Sequence, residues 1–77
     1  MSNIRLGKYR HFKGEYYEVI AQATYSETLE EMVVYKAFYE SKKYGKNAMW
    51  IRPLKMFTEK VRVGGKTMPR FKFEEIL

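Results

Sequence analysis

Basic and aromatic residues are interleaved in three short segments of this 77-residue chain, and they are its main candidates for chemistry. A cation contacts a phosphate and a flat ring stacks on a base, so the combination suits single-stranded nucleic-acid binding. These candidate ligand-binding residues are Tyr9, His11 and Lys13, then Lys42, Lys43, Tyr44 and Lys46, and finally Trp50 and Arg52. We therefore predict weak binding of RNA or single-stranded DNA, with Tyr44 as the exposed ring because it lies in a polar loop.

A second class of function, recognition of a protein or peptide, competes with this prediction. Seven tyrosines exceed what a core of this size needs, and a ring with a polar tip suits an interface. SH3-like barrels present a shallow aromatic groove to peptides, which makes an adaptor module of that type the alternative. The rings expected to line such a groove are Tyr9, Tyr16, Tyr39 and Trp50.

The sequence lacks the groups on which enzymes usually depend. It has one histidine, no cysteine and no aspartate, whereas catalysis uses an activated nucleophile, a metal or two carboxylates with separated pKa values. His11 is expected to be a partly buried structural histidine rather than a base. The glutamates at 27, 30 and 31 match no metal motif. The sequence thus predicts a non-catalytic protein without metal or cofactor.

Charge is distributed unevenly along the chain, whose formal net charge is +6. Residues 1–14 are basic, residues 15–40 carry six glutamates against one lysine, and residues 41–73 carry ten bases against one glutamate. Either cross-strand ion pairs neutralise much of this charge, or the last segment forms a basic face for a polyanion.

Two arginines have a further, architectural interpretation. Arg52 precedes a proline and Arg70 follows one. An arginine fork can tie down a strand end or a carboxylate, so either arginine can brace the fold through a glutamate such as Glu18 or Glu59.

Short strands separated by turns must position these residues. Lys8 to Phe12 and Glu15 to Tyr25 alternate with period two around a Lys-Gly turn, which predicts a hairpin. Tyr17, Val19, Ala21, Ala23 and Tyr25 are expected to face inward.

The middle of the chain allows two interpretations. Residues 26–31 read as a polar loop, and the alternation that follows to Tyr39 favours a strand, whereas a capping box at Thr28 and Glu31 would favour a short helix. Residues 40–47 form a lysine-rich loop.

The last third alternates between short strands and turns. A strand over 48–52 precedes a 3₁₀ turn near 54–57. Gly64-Gly65 then forms a tight hairpin turn.

These elements predict one domain over residues 1–77, with a loose lead-in over 1–6. The fold class is mainly β: a small SH3-like barrel or a strongly bent antiparallel sheet of five to six strands. An open sheet with one packed helix is the runner-up.

Four spaced motifs cover residues 7–73. The first supplies Gly7, Tyr9, His11, Lys13, Gly14, Tyr17 and Val19; the second Ser26, Glu27, Thr28, Glu30, Val33, Val34 and Tyr35; the third Trp50, Arg52, Pro53, Met56 and Phe57; the last Pro69, Arg70 and Phe71. With these motifs the chain resembles the DUF1653 family of small bacterial proteins. The resemblance implies a small β-rich fold and no activity, because none is assigned to the family. Tyr25 departs from the family pattern, which often has His there.

The expected location of the protein is inferred from segments and residues that the sequence lacks. No apolar leader is visible at the start, and no run approaches the roughly 18 apolar residues of a membrane span. The absence of cysteine is compatible with a reducing compartment. We expect a bacterial cytoplasmic protein without a membrane partner.

Overall fold

The computed structural model describes residues 3–77, which contain nine strands and one helical turn. The elements in chain order are β1 (Gly7–His11), β2 (Tyr16–Thr24), β3 (Glu31–Ala37), β4 (Glu40–Ser41), β5 (Gly45–Lys46), β6 (Met49–Pro53), α1 (Leu54–Phe57), β7 (Lys60–Val63), β8 (Lys66–Pro69) and β9 (Phe71–Glu75).

Five strands form one antiparallel sheet in the order β6-β3-β2-β1-β9, while β4–β5 and β7–β8 form separate two-stranded hairpins. Strands account for 57% of the structure. The prediction of a mainly β fold is therefore confirmed.

The five-stranded sheet is strongly bent without closing into a barrel. β6 and β9 are its edges and do not pair with each other. In a flat sheet they would lie about 19 Å apart, since neighbouring strands are separated by ~4.8 Å. Instead, the guanidinium carbon of Arg52 on β6 lies 5.8 Å from the ring centre of Phe71 on β9. The bent sheet is thus confirmed, and the closed SH3-like barrel is wrong.

The concave face of this sheet carries the core. Its centre is the stacked pair Phe57 and Phe71, whose ring centroids are 4.1 Å apart. Tyrosines surround the pair edge-on, as aromatic quadrupoles prefer. The buried residues are Tyr9, Tyr17, Val19, Val33, Tyr35, Ala37, Phe57 and Phe71. Because each buried ring removes ~150–250 Å² from water, these rings give a chain without cysteine a compact centre.

A β-bulge in β2 changes which residues face inward. The bulge follows Val19, and the extra residue reverses the alternation beyond it. Gln22 consequently lies opposite the fully buried Val33. The prediction that Ala23 and Tyr25 face the core is therefore wrong, and both are exposed.

Two other local predictions have different outcomes. The β-branched segment from Glu31 to Ala37 forms a strand, as favoured, and no helix. The turn from Leu54 to Phe57 is α-helical rather than 3₁₀, because the backbone N–H of Thr58 donates to the Leu54 carbonyl at 3.0 Å. The Thr58 hydroxyl donates to that carbonyl as well, at 2.9 Å, which satisfies the end of the turn.

The described part of the lead-in contacts the rest of the fold at two points. The backbone N–H of Ile4 donates to the side-chain oxygen of Gln22 at 2.8 Å, and the guanidinium of Arg5 lies 3.9 Å from the ring centre of Phe73. The remaining predicted lead-in residues, 1–2, lie outside the described residues.

Candidate functional site

The lysine-rich segment forms the tip of a long β-hairpin. The β4–β5 pair continues the hairpin of β3 and β6 beyond the sheet, joined by the hydrogen bond from the Ala37 N–H to the Ala48 carbonyl. At the turn, the Ser41 hydroxyl oxygen accepts from the backbone N–H groups of Lys43 and Tyr44 at 3.2 and 3.1 Å. This turn holds a group of exposed side chains that we call the hairpin tip: Lys42, Lys43, Tyr44 and Lys46.

Tyr44 connects the hairpin tip to the sheet. Its ring contacts Trp50 edge-on with centroids 4.9 Å apart, yet Tyr44 remains 54% exposed. The ammonium of Lys43 lies 5.4 Å from the Tyr44 ring centre. Trp50 itself packs against the core. The arrangement presents an anchored ring to solvent with a cation beside it.

Trp50 and Arg52 lie on the concave face of the edge strand β6. They pair in register with the buried residues Tyr35 and Val33, and residues two apart on a strand are separated by about 7 Å. Within residues 3–77 the Arg52 guanidinium forms no ion pair, and it lies over the Phe71 ring.

His11 lies beside Phe71 because the two residues pair in register across β1 and β9. Its ring centroid is 4.9 Å from that of Phe71 and 6.2 Å from that of Tyr17. Its Nδ1 accepts the backbone N–H of Lys13 at 3.2 Å, so the neutral ring carries its proton on Nε2. The ring thus directs a donor away from the Lys13 turn.

The surroundings of His11 are basic. Burial lowers the pKa of His11, and the cations Arg52, Arg70 and Lys13 lower it further against the opposing effect of Glu15. Positive charges from three parts of the chain, namely the turn after β1, strand β6 and the residue ahead of β9, thus lie near one ring.

A pair of tyrosines completes the polar edge of the concave face. The hydroxyls of Tyr17 and Tyr39 are 2.9 Å apart and hydrogen-bonded. Burial and this hydrogen bond raise the pKa of Tyr17 far above its ordinary value. Tyr17 therefore stays neutral and adds no charge to the site.

Tyr9 does not belong to the candidate site. It is 6% exposed, and its ring packs edge-on against Phe57 and Phe73. Its hydroxyl donates to the Arg5 carbonyl at 2.8 Å. The structure corrects its assignment as a ligand residue, because the strand alternation places it in the core.

Most basic side chains are free of ion pairs. Among residues 3–77 the ion pairs are Lys8–Glu75, Lys36–Glu18 and Arg70–Glu59, which leaves twelve of the fifteen lysines and arginines without one. Bracing is found for Arg70, whose guanidinium lies 2.6 Å from Glu59. Arg52 forms no such ion pair within residues 3–77.

The four rings predicted to line a peptide groove lie on two faces. Tyr9, Tyr39 and Trp50 belong to the concave core or pack against it. Tyr16 pairs in register with Arg10 on the convex face and lies beneath the ammonium of Lys8 at 4.4 Å. The prediction of one groove lined by all four rings is therefore wrong.

Residues 3–77 hold no group of three or more metal-ligating side chains. No helix in that part is sufficiently long and apolar to span a membrane.

Local sequence patterns found the hairpin tip and missed the junction at Phe71. The residues of the hairpin tip are neighbours in sequence, whereas His11, Arg52 and Phe71 come from three separate strands, β1, β6 and β9. Phe71 lies in the core, and no sequence signal showed that His11 and Arg52 would both lie close to its ring. The approach of Arg52 depends on the bending of the whole sheet, whereas His11 pairs with Phe71 in register.

The comparisons with known proteins point to one family. The family model described as "Protein of unknown function (DUF1653)" matches residues 7–73. A crystal structure of a DUF1653 protein from Bordetella bronchiseptica is similar, with a TM-score of 0.85 and 33% sequence identity. The similarity covers 97% of this chain and 92% of that one. Among curated proteins nothing matches.

Proposed function

The chain belongs to the DUF1653 family, and from the geometry of its own residues we propose that it is a non-catalytic module for single-stranded RNA or DNA. The observation that carries the proposal is the contact between Tyr44 and Trp50 at the lysine-rich hairpin tip. A base-stacking ring must be exposed and also held, because a free ring loses entropy on binding. Tyr44 meets both conditions through its 54% exposure and its contact with Trp50.

Unpaired positive charge supports the same function. The lysines of the hairpin tip have no ion pair among residues 3–77. A phosphate therefore has no internal carboxylate to displace from them, and its binding releases counterions from the nucleic acid. Charge beside a stacking ring is what non-sequence-specific single-strand binders combine.

A bacterial cytoplasmic location goes with this proposal. The proposed ligand is present there, and a chain without cysteine forms no disulfide that a reducing compartment would break.

A salt-dependent titration tests the proposal. The anisotropy of labelled single-stranded RNA and DNA would be measured at several salt concentrations, alongside the fluorescence of Trp50, the chain's one tryptophan. If the three tip lysines each contact a phosphate, log K should fall with log salt at a slope of about −2. Absence of binding at low salt, or a flat slope, would contradict the proposal.

Substitution of the stacking ring separates base contact from charge. Tyr44→Ala should lower affinity by roughly 1–3 kcal/mol, the usual contribution of one base stacked on an aromatic ring. Tyr25→Ala is the matched control, since Tyr25 is similarly exposed at 46% but lies beside a glutamate-rich turn. Equal losses in the two variants would exclude Tyr44 as the stacking ring.

Edge strand β6 favours protein recognition as the second candidate. Its outer side is unpaired within the described residues, and Met49 and Ile51 are 59% and 64% exposed. An extended peptide can add to such an edge through main-chain hydrogen bonds. A pull-down would then return a defined partner that is lost with Trp50→Ala and kept after nuclease treatment. Loss on nuclease treatment would favour the nucleic-acid function.

A further inference from the structure

Two basic side chains from separate strands of the sheet lie close to the ring of Phe71. His11 approaches from β1 with its ring centroid 4.9 Å away, and Arg52 approaches from β6 with its guanidinium carbon 5.8 Å away. Within residues 3–77 neither side chain has an acidic ion-pair partner. The register of β1 and β9 places His11 opposite Phe71, whereas Arg52 reaches the ring from the far edge strand β6.

Arg70 adds a third basic group, which directly precedes Phe71 in the chain and lowers the pKa of His11. Its terminal nitrogen is paired with Glu59 at 2.6 Å, but its Nε is buried and has no hydrogen-bond partner within residues 3–77. A buried donor without an acceptor costs about 1–3 kcal/mol. Such a group is typical of a position that a ligand or ordered water completes.

The available hydrogen-bond donors define the kind of ligand. They are Nε2 of His11, whose Nδ1 already accepts from Lys13, the guanidinium of Arg52, and Nε of Arg70. A ligand that satisfies all three needs negative charge and several acceptor oxygens in different directions. A tetrahedral phosphoryl group supplies both and matches the arginine fork.

We propose that His11, Arg52 and Arg70 form a binding site for a phosphoryl group at the ring of Phe71. The site is separate from the hairpin tip in sequence and goes beyond single-strand binding there. The phosphoryl group can come from the 5′-terminal phosphate of a nucleic-acid strand or from free phosphate. The tests below distinguish these two sources.

The protonation of His11 reports binding because it is the one histidine of the chain. The charged or titratable groups that face it are Lys13 and Glu15 from its own turn, Tyr17 from β2, Arg52 from β6, and Arg70 ahead of β9. A bound anion counteracts the cations of this set and favours protonated imidazole. Ligand binding should therefore raise the pKa of His11.

An NMR titration of the His11 ring tests the site with inorganic phosphate as the probe. The pH titration would be recorded with phosphate and with chloride at equal ionic strength, and phosphate should raise the pKa of His11 while chloride leaves it in place. Arg52→Gln should weaken phosphate binding about tenfold or more, because a hydrogen bond to a charged group is lost. Arg62→Gln, a change at an exposed arginine without an ion pair on β7, should have no effect.

Arg52→Lys provides a second variant should Arg52→Gln disturb the fold. It keeps the charge and loses the fork, so phosphate affinity should lie between the wild type and Arg52→Gln. An unchanged His11 resonance with phosphate, an equal response to chloride, or an equal response in Arg52→Gln and Arg62→Gln would overturn the proposal.

Oligonucleotides separate the two sources of the group. A 5′-phosphorylated oligonucleotide should raise the pKa of His11 where its 5′-hydroxyl counterpart does not, if the source is a strand end. A response to inorganic phosphate without a difference between the two oligonucleotides supports free phosphate. A phosphopeptide that binds more tightly than both would overturn the strand-end source.

The triple variant Lys42→Ala, Lys43→Ala and Lys46→Ala distinguishes this proposal from the proposed function. It should weaken strand binding and leave the response of His11 to inorganic phosphate intact. Loss of the phosphate response in this variant would show that no separate site exists.

Discussion

His11 lies where its protonated form is disfavoured. Burial lowers the pKa of His11 in the folded protein, with three cations acting in the same direction. The unfolded chain carries the ordinary pKa near 6.5. Above that pH both states are neutral and the histidine leaves stability unchanged. Below it the unfolded chain binds the proton more readily, so stability falls as pH decreases toward the lower pKa of the folded state.

His11→Gln removes this dependence. The variant should show a flatter dependence of unfolding free energy on pH just below 6.5, because its side chain does not titrate. Urea unfolding at closely spaced pH values would measure the difference. Glutamates titrate near pH 4.3 in model peptides, so their contribution lies lower. Parallel pH profiles for the wild type and the variant would contradict the assigned environment.

At the scale of the elements, β1 and β9 pack closely at Gly7. Gly7 has φ 137°, and a Cβ atom there would overlap the backbone carbonyl oxygen of Glu75 on β9. Gly7→Ala should therefore destabilise the protein through both backbone strain and displacement of the edge strand.

Gly64→Ala isolates the backbone part of that effect. Gly64 also has positive φ, at 57°, but its added Cβ would meet no atom within 4 Å. Its cost should be on the order of 1 kcal/mol, and that of Gly7→Ala should be larger. Denaturation midpoints of the two variants decide the comparison. Equal midpoints would mean that β9 moves aside at this position without a further cost in stability.

Local sequence patterns specify most elements because their causes lie within a few residues. β-branched residues and clean alternation place β3, and Gly64-Gly65 forms its hairpin turn with φ values of 57° and 79°. The bulge after Val19 has no such local signature, since it depends on pairing with β3. One extra residue then reverses the faces of the rest of β2, which is why the inward prediction fails at Ala23 and Tyr25.

The candidate site shows the same difference between local and long-range causes. The hairpin tip is contiguous in sequence, so composition alone located it. The junction of His11 and Arg52 at Phe71 joins both edges of the sheet and depends on how strongly the sheet bends. Alternation identifies which residues face inward, but bending determines which of them meet.

At the scale of the whole molecule, total charge and charge placement make different predictions. Changing Lys42, Lys43 and Lys46 to Glu lowers the formal net charge from +6 to zero. If the hairpin tip binds the nucleic acid, this variant should lose single-strand binding at low salt, because repulsion replaces the phosphate contacts. Anisotropy titration at one low salt concentration measures the loss.

A second triple variant has the same net charge as the first but changes lysines elsewhere in the chain. Lys55, Lys60 and Lys66 are exposed, carry no ion pair within residues 3–77, and lie on α1, β7 and β8. Changing them to Glu also gives zero net charge, yet leaves the cations beside Tyr44 in place. This variant should keep most of the wild-type affinity, reduced only by the weaker long-range attraction. Equal loss in both variants would show that binding follows net charge, and the hairpin tip would then have no special role.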